Sequence, residues 1–470
     1  EDSMLIHLDS NKKEALYSQL YQAIKNQIHS GHLAAHQKLP SKRQLAKDLG
    51  ISLNTVINAY DQLSLEGYLE TKPRQGYFVA DVRFQVQLTS EQASLTTSPS
   101  PSWRYDLTKA ETDPSLFPFE IFRRLYTQRF DSQSPDLLGP SSVQGLAPLR
   151  KSLASYLANE RGVPCQPDQL ILGPNAQALY QVLVQLLPPK RRIGIEDPGY
   201  HAQLPFLKEM GWQVQACPLD QLGLAIEEAP LDQLDILSVT PTHQFPTGSL
   251  MPLTRRQAIL DWARQSPNRW IIEDDYDSQF KYSGRPIPSL AQLDQGNQVI
   301  YMGSLSRILS PGLRISYMVL PASLLSLFYQ KEKQFAVNLN TISQYAIHDF
   351  IQQGHLERHL NRARTFYKRK RDRLINAIEA QDPQAQLIGL DAGLHLLIQP
   401  SFAFHSKPFQ DQLAQEGIRI KTLADFSIQA QTGFDQQIFL SFSGLPMDEV
   451  DTLINDLYQA LRQHKKTTKS

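Results

Sequence analysis

From Tyr105 onward, short apolar runs alternate with stretches of helical periodicity, and this alternation limits the possible folds more than any other feature of the chain. The runs are Gln169-Leu170-Ile171-Leu172, Arg192-Ile193-Gly194-Ile195, Leu234-Asp235-Ile236-Leu237-Ser238-Val239, Arg269-Trp270-Ile271-Ile272 and Val299-Ile300-Tyr301. Each has strand length, and consecutive apolar positions are what a strand covered on both faces requires. The pattern predicts an α/β domain built on a mainly parallel sheet with helices on both sides. Ligands on such sheets bind beyond the carboxyl ends of the strands, so the polar motifs that follow the runs are the candidate site.

A chain of 470 residues is too long for one core, and two or three domains are expected. Its 47 basic and 47 acidic residues cancel, so any nucleic-acid contact has to come from a local patch. Cys165 and Cys217 are the whole cysteine content, which excludes a disulfide framework and fits a reducing, cytoplasmic location. No apolar run approaches the roughly 20 residues that cross a bilayer, and no charged segment followed by an apolar signal core opens the chain. No membrane partner is expected.

The first 81 residues have a different grammar. Leu16, Leu20, Ile24 and Ile28 recur every four residues, predicting an amphipathic helix from Leu16 to Ser30 ended by Gly31. A second helix starts at Ser41, with Gln44 three places on as a capping box. Gly50-Ile51-Ser52 turns the chain into a third helix with a stripe of Val56, Tyr60 and Leu63. Tyr68-Leu69-Glu70-Thr71 and Gly76-Tyr77-Phe78-Val79 then form a hairpin around Lys72-Pro73-Arg74-Gln75. Two short helices joined by a glycine turn and followed by a hairpin make a winged helix-turn-helix. Ser41, Ser52 and Thr55 can bond phosphate oxygens, Arg43 and Asn54 can reach base edges, and Lys72 and Arg74 can follow the backbone of double-stranded DNA. Ser41 and Ser52 also suit helix caps, and Asn54 suits a solvated surface.

The runs Lys38 to Ala46, Ser52 to Val56 and Leu63 to Leu69 together resemble the GntR-type winged helix, whose DNA-contacting positions correspond to Lys42, Arg43 and the residues opening the third helix. In that family arginine often follows the position of Ser52; here it is Leu53, which bears on the operator sequence. The expected domains are the winged helix over residues 4–81, a Gln-, Ser-, Thr- and Pro-rich flexible linker over 82–103, and the α/β domain over 104–464.

Five landmarks in the large domain resemble the aminotransferase-like part of MocR/GabR regulators. They are Leu116-Phe117-Pro118-Phe119, Glu196-Asp197-Pro198-Gly199-Tyr200, Thr240 to Gly248, Ile272-Glu273-Asp274-Asp275-Tyr276-Asp277 and Tyr301 to Tyr317. The resemblance implies pyridoxal phosphate chemistry: Asp274 at the ring nitrogen, Tyr276 at the phenolic oxygen, Tyr200 on the ring face, and Ser304, Ser306 and Arg314 at the phosphate. Asp274 could instead be an acid at a strand end bonded to nearby amides. His243 is expected to line the pocket, with no second ligand at metal spacing and so no zinc site.

The departures carry as much information. The cofactor lysine is replaced by Arg307, which stays protonated and cannot offer the neutral amine that a Schiff base needs. Pro174 removes a backbone donor from the phosphate loop, Pro140 stands where a partner-reaching tyrosine is usual, and Phe439 stands where arginine grips a substrate carboxylate. The reading is a DNA-binding transcription regulator, a homodimer of head-to-tail type, whose large domain senses a small anionic metabolite without a covalent cofactor. Pyridoxal phosphate held non-covalently, another anionic ligand, an empty pocket that serves the fold and dimer only, and an Arg307 that simply pairs with Asp274 and closes the pocket all remain open. The alternative is an aminotransferase carrying an appended DNA-binding module.

Overall fold

The computed structural model describes residues 6, 8–9, 14–81, 102–109, 111–283, 288–295, 297–336 and 339–466. The expected linker, apart from 102–103, lies outside them. Contacts divide the chain into two compact units that meet between Ser100 and Pro101.

In the first unit, helices α1 (Leu16–His29), α2 (Lys42–Leu49) and α3 (Leu53–Leu65) precede an antiparallel hairpin of β1 (Leu69–Lys72) and β2 (Gly76–Val79). Ser41 and Ser52 cap α2 and α3, accepting from Gln44 N at 3.2 Å and Thr55 N at 3.1 Å. The capping box is only half made, because the Gln44 amide turns to Asp48 at 2.7 Å instead of reaching back. Gly50 ends α2 at φ 62°, a left-handed geometry that costs glycine little. Leu20, Ile24, Leu45, Val56, Tyr60, Leu63, Leu69 and Val79 share one core. The helical four-residue spacing and the strand alternation thus supply the same interior.

The second unit is built on eight strands: β3 (Leu170–Gly173), β4 (Arg192–Asp197), β5 (Gln213–Asp220), β6 (Gly223–Leu224), β7 (Ile236–Val239), β8 (Trp270–Asp274), β9 (Val299–Ser304) and β10 (Ser316–Val319). Their order across the sheet is β3-β10-β9-β8-β7-β4-β5-β6. The neighbours from β9 through β8, β7 and β4 to β5 are parallel; β10 is antiparallel to both β9 and β3, and β6 to β5. All five apolar runs are strands of this sheet. Strand β10 has no separate signal in the sequence; it follows directly on the polar turn and separates β3 from the other four.

Period-two alternation sends neighbouring side chains to opposite helix layers. On β10, Tyr317 and Val319 join the core containing Leu149, Leu153 and Leu157, while Met318 joins the one containing Leu179, Leu183 and Phe328. A smaller antiparallel sheet follows, of β11 (Gln386–Ile388), β12 (His395–Gln399), β13 (Lys421–Thr422) and β14 (Ile438–Ser441), ordered β11-β12-β14-β13. Helices His355–Gln381 and Val450–Gln463 contribute Tyr367, Leu374, Leu453 and Leu457 to the core that covers it.

Gly393 shows how tightly the two sheets are fitted together. It has φ +78°, and a Cβ there would stand 2.0 Å from His243 Cε1 and 2.6 Å from Asp277 Oδ2. Gly393→Ala is therefore expected to cost the second unit about 2 kcal/mol or more, read as a lower denaturation midpoint for that unit with the winged helix unchanged.

Candidate functional site

Strand β8 ends in Glu273 and Asp274, Asp275 follows directly, and the three acids face different surroundings. Glu273 is buried and accepts from Leu290 N and Ala291 N, each at 2.9 Å, with Arg256 at 3.9 Å. Asp275 is buried against Arg161, at 2.7 Å, and the Tyr301 hydroxyl. Asp274 between them faces a cavity of about 390 Å³, and no described residue donates a hydrogen bond to its carboxylate. A volume of that order suits a small molecule, for which sites run roughly 300–1,000 Å³. Burial, then the neighbouring Asp275 charge, push the Asp274 carboxyl up to about 7, while Arg307 pulls it down.

The stretch after β9 closes on itself to form the opposite wall. Ser306 Oγ accepts from Ile315 N at 2.8 Å, and Leu305 N donates to Ile315 O at 2.9 Å, so the Ser306 hydroxyl holds the turn together. Ser304 is bonded to Ser316 Oγ at 3.0 Å. Arg314 takes a left-handed φ of 49°, costly for a side chain with Cβ, and lines the cavity with Arg307. The Arg307 guanidinium lies 5.6 Å from the Tyr276 ring centroid. Among the described residues no carboxylate ion-pairs with Arg307 or Arg314, which removes the reading in which Arg307 pairs with Asp274 and closes the pocket. Tyr200, Asp274, Tyr276, Ser304, Ser306, Arg307 and Arg314 thus line one cavity, as expected from the sequence.

His243 is the correction. It is 3% exposed and stands behind the wall, not in it, with Nδ1 donating to Asp277 Oδ2 at 2.9 Å and the Tyr276 hydroxyl 3.0 Å from the same nitrogen. Its ring is packed against Gly393 and Gly248, where a Cβ would stand 2.0 Å from Cε1 and 3.2 Å from Nε2, respectively. The expectation that no second ligand accompanies it also fails: Asp277 and His395 bring ligand atoms within 4.8 Å of one another and of His243. They are otherwise engaged, Asp277 with His243 and His395 Nε2 donating to Pro246 O at 3.1 Å.

Residues far off in the chain complete the cavity: Thr108, Lys109, Leu394, His395, Phe439 and Ser441. Phe439 forms an aromatic wall with Phe245, Phe426 and His395, at centroid distances of 5.5, 4.8 and 4.9 Å. Asn175 also lines the cavity, though its side chain is used as a cap, accepting from Ala178 N at 2.9 Å.

In the winged helix, Arg43, Asn54 and Arg74 are exposed and make no hydrogen bond or ion pair with a described residue. Ser41, Ser52 and Thr55 are occupied in caps. Lys42 is tied to Asp61 on α3 at 2.6 Å and lies 5.0 Å from the Tyr77 ring centroid, and Lys72 lies 4.7 Å from that of Phe78. The Lys42 charge thus joins α2 to α3 in addition to anything it does at DNA.

Residues 16–79 match the bacterial regulatory proteins of the gntR family, and residues 124–457 match the aminotransferase class I and II family. Along its whole length the chain is 34% identical to the HTH-type transcriptional regulator YhdI of Bacillus subtilis (strain 168), covering 96% of this chain and 97% of that protein. It is 32% identical to the probable rhizopine catabolism regulatory protein MocR of Rhizobium meliloti, over 77% of each. The chain belongs to the MocR-type HTH transcriptional regulators. Like them it is a DNA-binding regulator with an aminotransferase-like domain. The fold of that domain is shared with the Pyrococcus horikoshii kynurenine aminotransferase, at TM-score 0.69 and 24% identity over 78% of this chain and 92% of that one. An archaeal alanine:glyoxylate aminotransferase matches equally well, at TM-score 0.70 and 22% identity over 78% and 93%. No helix among the described residues of this MocR-type chain is long and apolar enough to cross a membrane.

The raised Asp274 carboxyl gives a pH signature. Between about 4 and about 7 the folded state keeps a proton that the unfolded chain has released, so this group's contribution to stability is lost as pH rises through that window. Glu196 and Glu273, also pushed up to about 7 by burial, act in the same direction. In the ligand-free protein, Asp274→Asn is expected to gain stability relative to the parent as pH goes from 5 to 8, measured by denaturant unfolding at each pH.

Proposed function

We propose that this regulator senses a small anionic ligand in the cavity between its two sheets, and that it does so without transamination. The observation that carries the reading is the pair of guanidinium groups, Arg307 and Arg314, lining one cavity with no carboxylate partner among the described residues. Arg307 is half-buried and Arg314 exposed; a cation with open donors is stabilised by an anion that supplies acceptors, and guanidinium favours phosphate and carboxylate. The lone Asp274 carboxylate adds a site for a protonated ring nitrogen. These residues fit pyridoxal phosphate held without a covalent bond: Arg314, Ser304 and Ser306 toward its phosphate, Asp274 toward its nitrogen, Tyr276 toward its phenolic oxygen and Tyr200 along its ring. When bound to a lysine, that group supplies an electron sink for amine chemistry. Arg307 has no neutral amine with which to take part.

DNA recognition is assigned to Arg43 and Asn54, with Arg74, Lys72, Ser41, Ser52 and Thr55 at the backbone. We infer a cytoplasmic homodimer of head-to-tail type, in which a linker over 82–103 joins the winged helix to the sensing domain. A dimer presents two reading heads to a pair of half-sites, and the ligand acts through its different affinity for their two arrangements.

The purified chain with added pyridoxal phosphate is expected to yield no covalent adduct after borohydride treatment, whereas Arg307→Lys yields one. An adduct on the parent would sink the non-covalent reading, and none on either would remove pyridoxal phosphate as the ligand. In the other unit, Arg43→Ala is expected to weaken binding to a selected operator by about ten-fold or more and to relax its sequence preference, measured by fluorescence anisotropy at fixed salt.

A further inference from the structure

The cavity has two chemically different ends. At one, pairing of Ser304 with Ser316 and of Ser316 with Gly173 gathers Ser304, Arg314, Pro174 and Asn175. At the other, the segment after Tyr105 runs beside β14: Ser441 N donates to Leu107 O and Glu111 N to Ser443 Oγ, both at 2.9 Å. That contact sets Thr108 and Lys109 into the cavity wall next to Ser441 and Phe439. Phe439, 2% exposed and packed among aromatic rings, offers this end no polar group.

Among the described residues Lys109 is the only lysine that lines the cavity. Its ammonium is held by Glu111 at 2.9 Å and, more loosely, by Asp106 at 3.5 Å. Asp106 is half-buried and has other partners, accepting from Thr108 N and Oγ1 and from Arg419 at 3.4 Å. Lys109 and Glu111 are 58% and 47% exposed, so their pair is of the solvent-screened kind that contributes little. Glu111 is a removable partner, and a ligand carboxylate can take its place.

We propose that Lys109 anchors a second anionic group of the ligand, a carboxylate, with Glu111 as the internal competitor that the ligand displaces. The assignment rests on the cavity being the effector pocket, and it deepens that reading. The ligand class is then a molecule with an anionic group at each end of an apolar or aromatic middle.

The test uses the full chain and two probes, N-(5'-phosphopyridoxyl)glycine and its glycinamide counterpart, which lacks only the carboxylate charge. Calorimetry is expected to give about ten-fold tighter binding of the glycine probe, on the scale of one charged hydrogen bond. Lys109→Ala should bring the glycine probe down to the amide's affinity and leave the amide unchanged. Lys109→Arg should keep the discrimination, and Glu111→Gln should tighten the glycine probe alone. If the parent binds both probes equally, or if Lys109→Ala weakens both alike, the Lys109 assignment is wrong while the effector pocket stands. If neither probe binds, the effector pocket falls and Lys109 falls with it.

Discussion

Three carboxylates in a row at the end of a buried strand would be untenable if all faced the same way. The large domain resolves this by giving them different surroundings: Glu273 and Asp275 go to the faces where amides and arginines wait, and Asp274 goes to the cavity. Arg256, fully buried, satisfies its donors on the carbonyls of Met251, Pro288 and Pro241 and so can stand near Glu273 without itself being unpaired. Because the flanking acids are held, Asp274 keeps a fixed aim with no internal partner. The site depends on that arrangement, since a carboxylate already satisfied within the protein would have nothing left for a ligand.

The cations opposite follow the reverse logic. Arg307 and Arg314 belong to a turn that is tied by its own backbone and by Ser306, so their guanidinium groups are not needed to hold the fold. Arg307 cannot lose its proton, so it has no neutral amine to offer a carbonyl group. The aminotransferase fold of the solved relatives and the regulator identity of the full-length relatives are therefore compatible: fold sets the cavity, and individual side chains set its chemistry.

In the winged helix the economy is different, because the same residues serve the fold and face the solvent. Ser41 and Ser52 complete helix ends, Lys42 joins two helices through Asp61, and Arg43 and Asn54 are left without internal partners on the exposed surface. Side chains that the core does not need are the ones available to a partner.

Much of this was legible in the sequence for local reasons. Helix α1 was written in the spacing of Leu20 and Ile24, α2 and α3 in Ser41, Gly50 and Ser52, and the sheet in five apolar runs. Seven of the eight expected pocket residues line the cavity, and they sit at or near strand ends, where motif order places them. Tertiary structure decided the rest. Strand β10 was hidden because its four residues continue a polar turn, and its place between β9 and β3 is set by pairing with β3, far back in the chain. His243 fell behind the wall because Gly393, from elsewhere in the sequence, and Gly248 of its own motif admit its ring there. Lys109 gave no sequence signal at all: it reaches the cavity only because Leu107 and Glu111 bond to a strand more than three hundred residues away. Periodicity and capping act over one or two turns of chain, so sequence reveals them; which distant segments share a cavity is settled by packing, and only the folded chain shows it.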